Sequence, residues 1–241
     1  MATVREREKQ NGLPFNLIAL NGACLRLPGD VGTLAGFRAW AQSDDFPEKG
    51  KFSLINGNIL IDMSPEEIET HNKVTGAIGH GITGVNEETD LGEYFWDGTL
   101  LTNTKADLAT VPDGTFVKWA TSQVGRVQFI PRKDRQGQYI EIRGTPDWVL
   151  EVVSMWSVKK DTKELPVLYH RAGIAEFWLV DARGKDIDFQ ILVRRRSKYA
   201  RAEVRSGWSF SPVFGRWFRL ARKRNRQGRW NYRLESSRAK P

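Results

Sequence analysis

Cysteine is nearly absent from this sequence, since Cys24 is the one cysteine among 241 residues. A single cysteine excludes an internal disulfide framework, and the lack of a C-x-x-C pair excludes a zinc site built from thiolates. No stretch approaches the ~20 apolar residues of a membrane-spanning helix, and the polar start of the chain lacks the apolar run of a signal peptide. We therefore expect a soluble, cytoplasmic protein in a reducing compartment that has no membrane partner.

Several catalytic signatures are missing as well. The sequence contains no G-x-S-x-G, no H-E-x-x-H and no Walker-type loop, so it offers none of the local motifs of serine hydrolases, zinc proteases or P-loop enzymes. Residues 79–84 fit G-x-G-x-x-G, but they fall late in a predicted helix instead of after a strand, and this context is wrong for a dinucleotide site. We predict instead that the small residues let this helix pack closely on a neighbour.

Acidic residues are scarce near the end of the chain. The whole sequence carries 37 Lys and Arg against 29 Asp and Glu, a formal net charge of +8. Residues 194–241 contain 16 of the basic residues and two of the acidic ones, so the remainder is net acidic. Aromatic residues are interleaved with these arginines, and we expect the segment to fold as strands on the body. A phosphate-binding surface and an ordinary solvated basic face are equally good interpretations of this charge.

The hydrophobic patterns predict an α/β domain with a mixed sheet. Residues 51–55 and 58–63 alternate around Asn56-Gly57, which is the strongest short hairpin signal. Ser64-Pro65-Glu66-Glu67 is typical of a capping box with proline in the first helical turn, and it predicts a helix that places His71 on its apolar face. The other predicted elements are a helix at 33–42, a helix that begins at about 162–164 and ends at Gly173, and strands at 93–96, 99–103, 114–117, 127–130, 139–142, 147–153, 176–181 and 189–193.

Glu151 is the most informative residue, because it lies inside the apolar strand predicted at 147–153. Strands that are apolar on both faces are usually central in a sheet, so this carboxylate has no easy access to solvent. An unpaired carboxylate there is unfavourable, and it needs a cation or a hydrogen-bond donor. The residue is therefore either a metal ligand or a structural glutamate in a salt bridge or on an edge strand.

Two further carboxylates follow proline residues. Asp113, in Pro112-Asp113-Gly114, is a turn residue on local grounds, and Asp147 lies four residues before Glu151. Two or three carboxylates that converge at one strand edge form a hard oxygen site for Mg²⁺. Such a site activates a water and stabilises charge on a phosphate, which is the chemistry of phosphodiester hydrolysis.

The cationic side chains near these carboxylates have two interpretations each. Lys159, Lys160 and Lys163 fall in the loop and first helical turn after Glu151. A lysine there could hold the attacking water or stabilise charge on the phosphate, helped by the helix N-terminus, although for each alone a solvated lysine is the simpler interpretation. His71 is better explained as a buried, hydrogen-bonded core residue than as a ligand.

Several segments taken together resemble one known family. They are Leu54–Gly57, Asp62–His71, Val111–Val117, Gly144–Ser154, Lys160–Pro166 and Tyr169–Arg183. In these segments the sequence is similar to the Uma-two restriction endonucleases, within the PD-(D/E)XK nuclease superfamily, and the resemblance covers roughly residues 33–196. It implies a mixed core sheet of four strands flanked by helices, with a divalent metal, Mg²⁺ or Mn²⁺, at its edge. By motif position, Asp113 would be the superfamily's metal-binding aspartate and Glu151 the acidic residue of its E-x-K element.

The sequence departs from the superfamily at Val153, where the lysine of E-x-K should stand. A relocated lysine is the expected substitute, with Lys163 as the first candidate and Lys160 as the second. Either lysine could reach the site only if the start of its helix lies over the end of the strand that carries Glu151.

These expectations define a restriction-endonuclease-like α/β domain that acts as a Mg²⁺-dependent DNA endonuclease. Asp113 and Glu151 would converge within bridging distance of one ion, with Asp147 as a supporting metal ligand. The alternatives are a catalytically weak or inactive nucleic-acid-binding protein on the same fold, and an interaction module whose carboxylates pair with arginines. A two-fold homodimer would suit the cutting of both DNA strands. The predicted organisation is an N-terminal segment at 1–32, the nuclease-like domain at 33–193 and a β-rich basic extension at 194–241 packed on the same domain.

Overall fold

The structure, a computed structural model, describes residues 3–10, 13–20, 23–133 and 135–241, and it describes side chains for 25–133 and 137–241. The helices in this part of the chain are α1 (Leu34–Ala41), α2 (Lys73–Thr89), α3 (Trp119–Gln123) and α4 (Leu165–Ala172). Wide, π-type helical turns at Ile68–Asn72 and Lys160–Glu164 lead directly into α2 and α4. The strands are β1 (Thr3–Gln10), β2 (Leu13–Leu20), β3 (Ala23–Pro28), β4 (Lys51–Ile55), β5 (Asn58–Asp62), β6 (Gly92–Trp96), β7 (Leu100–Asn103), β8 (Leu108–Thr110), β9 (Gly114–Lys118), β10 (Val127–Arg132), β11 (Arg135–Gly144), β12 (Trp148–Val152), β13 (Glu176–Asp181), β14 (Asp188–Arg194), β15 (Tyr199–Arg201), β16 (Val204–Arg205), β17 (Trp208–Ser211), β18 (Arg216–Arg224) and β19 (Trp230–Ser237).

A six-stranded mixed sheet forms the centre of the fold, in the order β15-β14-β13-β12-β9-β6. β12 runs parallel to β13, with α4 between them in the chain, whereas β9 and β14 are antiparallel to these two strands. All five residues of β12 are buried, because the strand has a neighbour on each edge and an apolar cluster on each face. The prediction of a mixed sheet flanked by helices is confirmed.

A second six-stranded sheet has the order β10-β11-β7-β8-β4-β5. Its hairpin β4–β5 turns at Asn56-Gly57 as predicted, and both residues have positive φ, 52° and 74°, as a type I′ turn requires. The predicted helix at 33–42 is also confirmed as α1, whose N-cap Thr33 accepts the Gly36 N–H at 3.0 Å. β1, β2 and β3 form a separate three-stranded sheet, which the sequence pattern did not predict.

The chain after β14 folds as strands, as predicted from its interleaved aromatic residues. β15 extends the edge of the central sheet, and β16–β19 form a four-stranded antiparallel sheet. Phe214, Phe218 and Leu234 from this region pack in one core cluster with Trp148 and Trp178 of the central sheet. The basic segment therefore shares a hydrophobic core with the body of the domain.

Several arginines of this segment bind groups within the protein. The Arg222 guanidinium donates to the backbone carbonyls of Ala182 at 3.2 Å and Gly184 at 3.0 Å. Arg216 is buried and pairs with Glu88 at 2.6 Å. Part of the basic charge is therefore structural, which neither interpretation of the segment anticipated, and the rest is exposed.

The predicted capping box before α2 is wrong. The Ser64 N–H donates to the Asp62 carboxylate at 2.9 Å, and residues 63–67 are not helical. The helical chain begins at Ile68, and its N-cap is Glu67, whose carboxylate accepts the Glu69 N–H at 3.0 Å. Asp62 competes for the serine that the motif assigned to the cap, and a carboxylate nearer the helix takes its place.

Small residues let α2 pack closely on its neighbours, as predicted. A Cβ atom on Gly79 would lie 2.1 Å from the ring of Trp96, and one on Gly81 would lie 2.8 Å from the Cβ of Leu234. The G-x-G-x-x-G match is therefore a packing feature of a helix held between β6 and β19. Of the described helices, none is both long and apolar enough to cross a membrane.

Candidate active site

Asp113 and Glu151 lie opposite each other on neighbouring strands. β9 pairs with β12 through Gly114 and Leu150, and the next step of this antiparallel register brings Asp113 opposite Glu151. The Asp113 N–H donates to the Leu150 carbonyl at 3.0 Å, and the Val152 N–H donates to the Asp113 carboxylate at 2.7 Å. Opposite residues on one sheet face have Cβ atoms about 5 Å apart. Both carboxylates line a single cavity of about 1380 Å³.

Three donors hold Asp113 in its charged form. Its Oδ1 lies 3.1 Å from the Lys51 ammonium, and its Oδ2 accepts the Val152 N–H and lies 3.3 Å from the His71 Nε2. Burial opposes the charge, but the hydrogen bond with His71 and the Lys51 ammonium outweigh it and keep the pKa of Asp113 well below its usual range. Asp113 is therefore a permanent anion at neutral pH.

Lys51 is surrounded by carboxylates at the start of β4. Its ammonium lies 2.9 Å from Asp97, 3.1 Å from Asp113 and 3.3 Å from Glu66. Burial by itself would lower the pKa of Lys51, but the charges of Asp113 and Asp97 raise the pKa well above its ordinary value. The ammonium therefore neutralises part of the acidic charge on this side of the cavity.

Glu151 occupies the environment that its apolar strand predicts. Its side chain is 1% exposed, the Tyr169 hydroxyl donates to Oε1 at 2.5 Å, and the Lys160 ammonium lies 3.8 Å from Oε2. Burial raises the pKa of Glu151 well above its ordinary value, against the opposing effect of Lys160. A cation close to this carboxylate is therefore needed to keep it ionised.

The structure places Lys160, and not Lys163, against Glu151. Lys160 opens the π-type turn before α4 and also lies 3.3 Å from the buried carboxylate of Asp161. Lys163 is exposed and lies outside the lining of the cavity. The sequence predicted that this helix begins at about 162–164, which favoured Lys163, but the helical turn begins at Lys160 and points this residue at the strand.

Asp147 is not brought to the cavity by the fold. It immediately precedes β12, four residues from Glu151 along an extended chain, which corresponds to roughly 13 Å. Its carboxylate accepts the Lys118 N–H at 2.8 Å and the Thr121 hydroxyl at 2.9 Å. The carboxylate thus joins β12 to the start of α3, and this structural role explains why the residue follows proline at the strand entrance.

His71 is buried and hydrogen-bonded, as predicted, but its partner belongs to the site. The imidazole Nε2 faces Asp113, and Nδ1 lies 3.8 Å from Glu66. Burial opposes protonation, but the hydrogen bond with Asp113 raises the pKa of His71 overall. The imidazole therefore orients the Asp113 carboxylate from the helix side of the cavity.

The donor set fits a hard divalent cation in its chemistry. Mg²⁺ takes one or two carboxylates in proteins and completes its octahedron with water and substrate oxygens, and Asp113 and Glu151 supply such a pair. Asp161 lines the same cavity, and its buried Oδ1 is ion-paired with the Lys160 ammonium at 3.3 Å. Among the described residues, no group of three or more His, Cys, Asp or Glu has the arrangement of a preformed metal site, so the carboxylate pair is the candidate.

The model of the Uma2 (Uma-two) family, with the description "Putative restriction endonuclease", matches residues 34–223. The chain belongs to the Uma2 family. The match includes both carboxylates of the cavity and runs into β18, beyond the part that the sequence motifs covered. No curated protein matches this Uma2 chain at a significant level.

A solved structure has a fold similar to that of this Uma2 chain. It is a protein from Anabaena variabilis ATCC 29413 described as a "putative nuclease", with a TM-score of 0.51 and 20% sequence identity over 76% of this chain and 90% of that one. At this identity the likeness concerns the fold alone, and it confirms the restriction-endonuclease-like α/β architecture.

Sequence reasoning missed Lys51 and Asp97, which line the cavity, and Tyr169, which is buried against Glu151. Lys51 and Asp97 stand at the ends of strands that meet only in the folded chain, so no spacing connects them with Asp113. Tyr169 lies on the buried face of α4, where its hydroxyl requires a partner. Glu151 and Tyr169 belong to a strand and the helix that follows it, and both were expected to be buried. This combination is a signal that could have paired the two residues.

Proposed function

We propose that this Uma2-family protein is a DNA endonuclease that depends on Mg²⁺ or Mn²⁺ and hydrolyses phosphodiester bonds. The observation that carries the proposal is the pair of carboxylates in one cavity: Glu151 in β12, and Asp113 directly before β9, hydrogen-bonded to Leu150 and Val152 of β12. Membership of a family described as restriction endonucleases supports nuclease chemistry in general. The metal and the DNA substrate are the finer parts of the proposal.

Asp113 and Glu151 would hold the ion, which when bound supplies positive charge at the phosphate and a water of lowered pKa. Around them, His71 and Lys51 orient the Asp113 carboxylate, and Tyr169 fixes the rotamer of Glu151 through its hydroxyl. Such supporting hydrogen bonds keep ligand oxygens in place before an ion or substrate arrives. The protein therefore contributes a positioned pair of anions.

Lys160 takes the role of the lysine that is missing from E-x-K. Its ammonium is next to Glu151 and borders the cavity, so it is placed to stabilise negative charge on the phosphate or to hold the attacking water. Val153, at the usual lysine position, is fully buried in an apolar cluster with Leu165 and Leu168. A lysine at position 153 would therefore be buried among apolar side chains, so the E-x-K arrangement is disfavoured in this chain.

The turn of the β18–β19 hairpin supports binding of a polyanion at the cavity. The Trp230 N–H donates to Glu69 at 2.7 Å, and Lys73 donates to the Trp230 carbonyl at 2.8 Å. These bonds dock the hairpin beside the start of α2, and Arg229 in its turn lines the cavity. Arg226 in the same turn is exposed, so both arginines are available to phosphates.

The second candidate function is nucleic-acid binding without efficient cleavage. The observation in its favour is the buried Val153, because the charge that E-x-K normally provides must come from Lys160 on another element. Salt-dependent binding of DNA with no metal-dependent cleavage would select this alternative. A homodimer and a cytoplasmic location stay predictions.

The deciding experiment is incubation of plasmid and linear DNA with Mg²⁺, Mn²⁺ or a chelator. We expect cleavage only with a divalent cation and a loss of at least 10²-fold in Asp113→Asn and Glu151→Gln, which preserve side-chain shape. Asp147→Asn is the matched control, because its carboxylate lies outside the cavity, and it should keep the parent dependence on metal concentration. Calorimetric titration with Mn²⁺ gives a second readout. Cleavage that persists in both cavity variants would overturn the proposal.

A further inference from the structure

Two large apolar side chains stand exposed at the mouth of the candidate site. Trp156 is 78% exposed and Met155 is 75% exposed. Both lie in the loop that follows β12, a few residues after Glu151, and both line the cavity that holds the two carboxylates. Exposed apolar groups gathered at a cavity mark a binding surface more often than an accident of folding.

A network of hydrogen bonds holds the loop that carries Trp156. The Ser154 N–H donates to the Ser157 hydroxyl at 2.9 Å, and the Ser157 N–H donates back to the Ser154 hydroxyl at 3.1 Å. The Ser157 carbonyl then accepts the Asp161 N–H at 2.8 Å, at the turn that carries Lys160. The backbone that carries the exposed indole is thus tied to the turn of the lysine that faces Glu151.

The charge of the cavity restricts what can lie against this indole. Acidic side chains outnumber Lys and Arg in its lining, and they are Asp44, Glu48, Asp62, Glu66, Glu67, Glu69, Asp97, Asp113, Glu151 and Asp161. A strand of phosphates is repelled over most of this surface and is attracted only near its basic residues, Lys51, Arg132, Lys160 and Arg229. A nucleobase is neutral and has an aromatic face, so it is the part of a nucleic acid that can pack against Trp156 without repulsion from these carboxylates.

We infer that Trp156 stacks on an unpaired base and that the substrate is single-stranded DNA or an unpaired nucleotide of a duplex. The inference rests on the proposed function, and it names the substrate class. In an intact duplex both faces of each base are covered by neighbouring bases, so an indole fixed at the protein surface gains no contact there. Stacking on an unpaired base requires no sequence, because every base has an aromatic face.

The test measures by fluorescence anisotropy how tightly one oligonucleotide binds to the Glu151→Gln protein in Mg²⁺. The oligonucleotide is used once as a single strand and once annealed to its complement. Single-stranded DNA should bind more tightly, and Trp156→Ala should weaken its binding about 10- to 100-fold, the range typical of one stacked base. Trp156→Phe should restore most of the affinity. Tyr139→Ala is the matched control, since Tyr139 is an aromatic residue 62% exposed outside this lining, and it should bind as the parent does.

Each outcome decides the matter, because Trp156 is exposed and its removal leaves the core intact. Equal losses for single-stranded and duplex DNA would overturn the inference in favour of a wedge between paired bases. No loss for either DNA, or binding of a lysine-rich peptide in place of DNA, would overturn it as well. Cleavage by the parent protein is measured separately. Cleavage without a Trp156 effect rejects this inference alone, whereas Trp156-dependent binding without cleavage rejects the nuclease activity alone.

Discussion

Lys160 and Lys163 are three residues apart in the sequence but lie in different environments. Both belong to the π-type turn before α4, but only the Lys160 ammonium approaches the Glu151 carboxylate, at 3.8 Å. In a π-type turn the hydrogen bonds join residues five apart, so the side chains of two residues that are three apart point in different directions. The two lysines are therefore a matched pair for a test of the relocated charge.

We predict that Lys160→Met lowers the rate of DNA cleavage by on the order of 10²–10³-fold, the effect of removing one stabilising donor from an active site. Lys163→Met should cleave at the parent rate, because its side chain is exposed outside the cavity. Initial rates with labelled DNA in excess Mg²⁺ measure both, and circular dichroism checks that each variant is folded. If both variants cut at the parent rate, no relocated lysine acts in this protein.

At the scale of elements, the packing of α2 on β19 depends on a glycine, Gly81, which has no side chain. A Cβ on Gly81 would meet the Cβ of Leu234 at 2.8 Å, whereas a Cβ on Gly84, one turn later in the same helix, would meet nothing within 4 Å. The Cβ of Leu234 cannot rotate away, so β19 itself would have to shift.

Gly81→Ala should therefore destabilise the protein by roughly 1–3 kcal/mol through overpacking, in spite of the better helix propensity of alanine. Gly84→Ala should stabilise it by up to about 1 kcal/mol through that propensity. Urea unfolding of both variants measures the difference. A stabilised Gly81→Ala protein would mean that α2 and β19 are further apart than described.

Local patterns predicted the elements well where one signal had no competitor. Asn56-Gly57 set the β4–β5 hairpin, and the apolar run around Glu151 set the central strand. The signal before α2 failed because Asp62 binds the serine and Glu67 caps the helix in its place. This outcome depends on side-chain geometry that the sequence does not carry. Strands β1 to β3 were missed because they form a sheet of their own with little periodic pattern.

The candidate site was predictable in part, and the limit is physical. Asp113 and Glu151 came from motif positions, and their proximity then followed from strand pairing. Asp147 shares the same kind of motif, but an extended chain carries it away from Glu151 by roughly 13 Å. Lys51 reaches Asp113 from a different sheet, so its place in the site depends on how the sheets pack.

At the scale of the whole molecule, Glu176 connects the central sheet to the C-terminal sheet. It is buried at the start of β13, accepts the Ser211 hydroxyl and the Trp178 indole N–H at 2.6 Å each, and accepts the Val213 N–H at 3.1 Å. Burial raises the pKa of Glu176 from 4.5 to about 7, and these three bonds oppose the shift. Folding therefore favours the protonated form of this residue.

The sign of the pH effect on folding follows from this raised pKa. As pH rises above 4.5 the unfolded chain loses the Glu176 proton while the folded protein keeps it until about pH 7, so stability decreases across this window. The loss amounts to roughly 3 kcal/mol and is constant at higher pH. Urea unfolding from pH 4 to 8.5 should show this decline in the parent and a smaller one in Glu176→Gln. Identical pH profiles would show that Glu176 titrates normally.

The exposed arginines at the turn of the β18–β19 hairpin are the expected contacts of the proposed DNA substrate. Arg226→Gln with Arg229→Gln should reduce the slope of log K against log salt by roughly two units, since each phosphate contact contributes about one. Arg205→Gln with Lys240→Gln removes the same charge where both residues pair with Glu203 instead, and it should keep the parent slope. An unchanged slope in the hairpin variant would assign the turn to another role.

The ammonium of Lys51, enclosed by three carboxylates, also bears on how stable the fold is when no metal is bound. Small metalloproteins often unfold on chelation, because bare ligands repel one another until the metal returns. Here an internal counter-ion is covalently attached to the chain and cannot be washed away. We expect the melting temperature to be the same in EDTA and in buffer alone, which a thermal scan measures, and to fall in Lys51→Met. Under the proposed function, a divalent cation would then control activity alone, because the fold is complete before the cation binds.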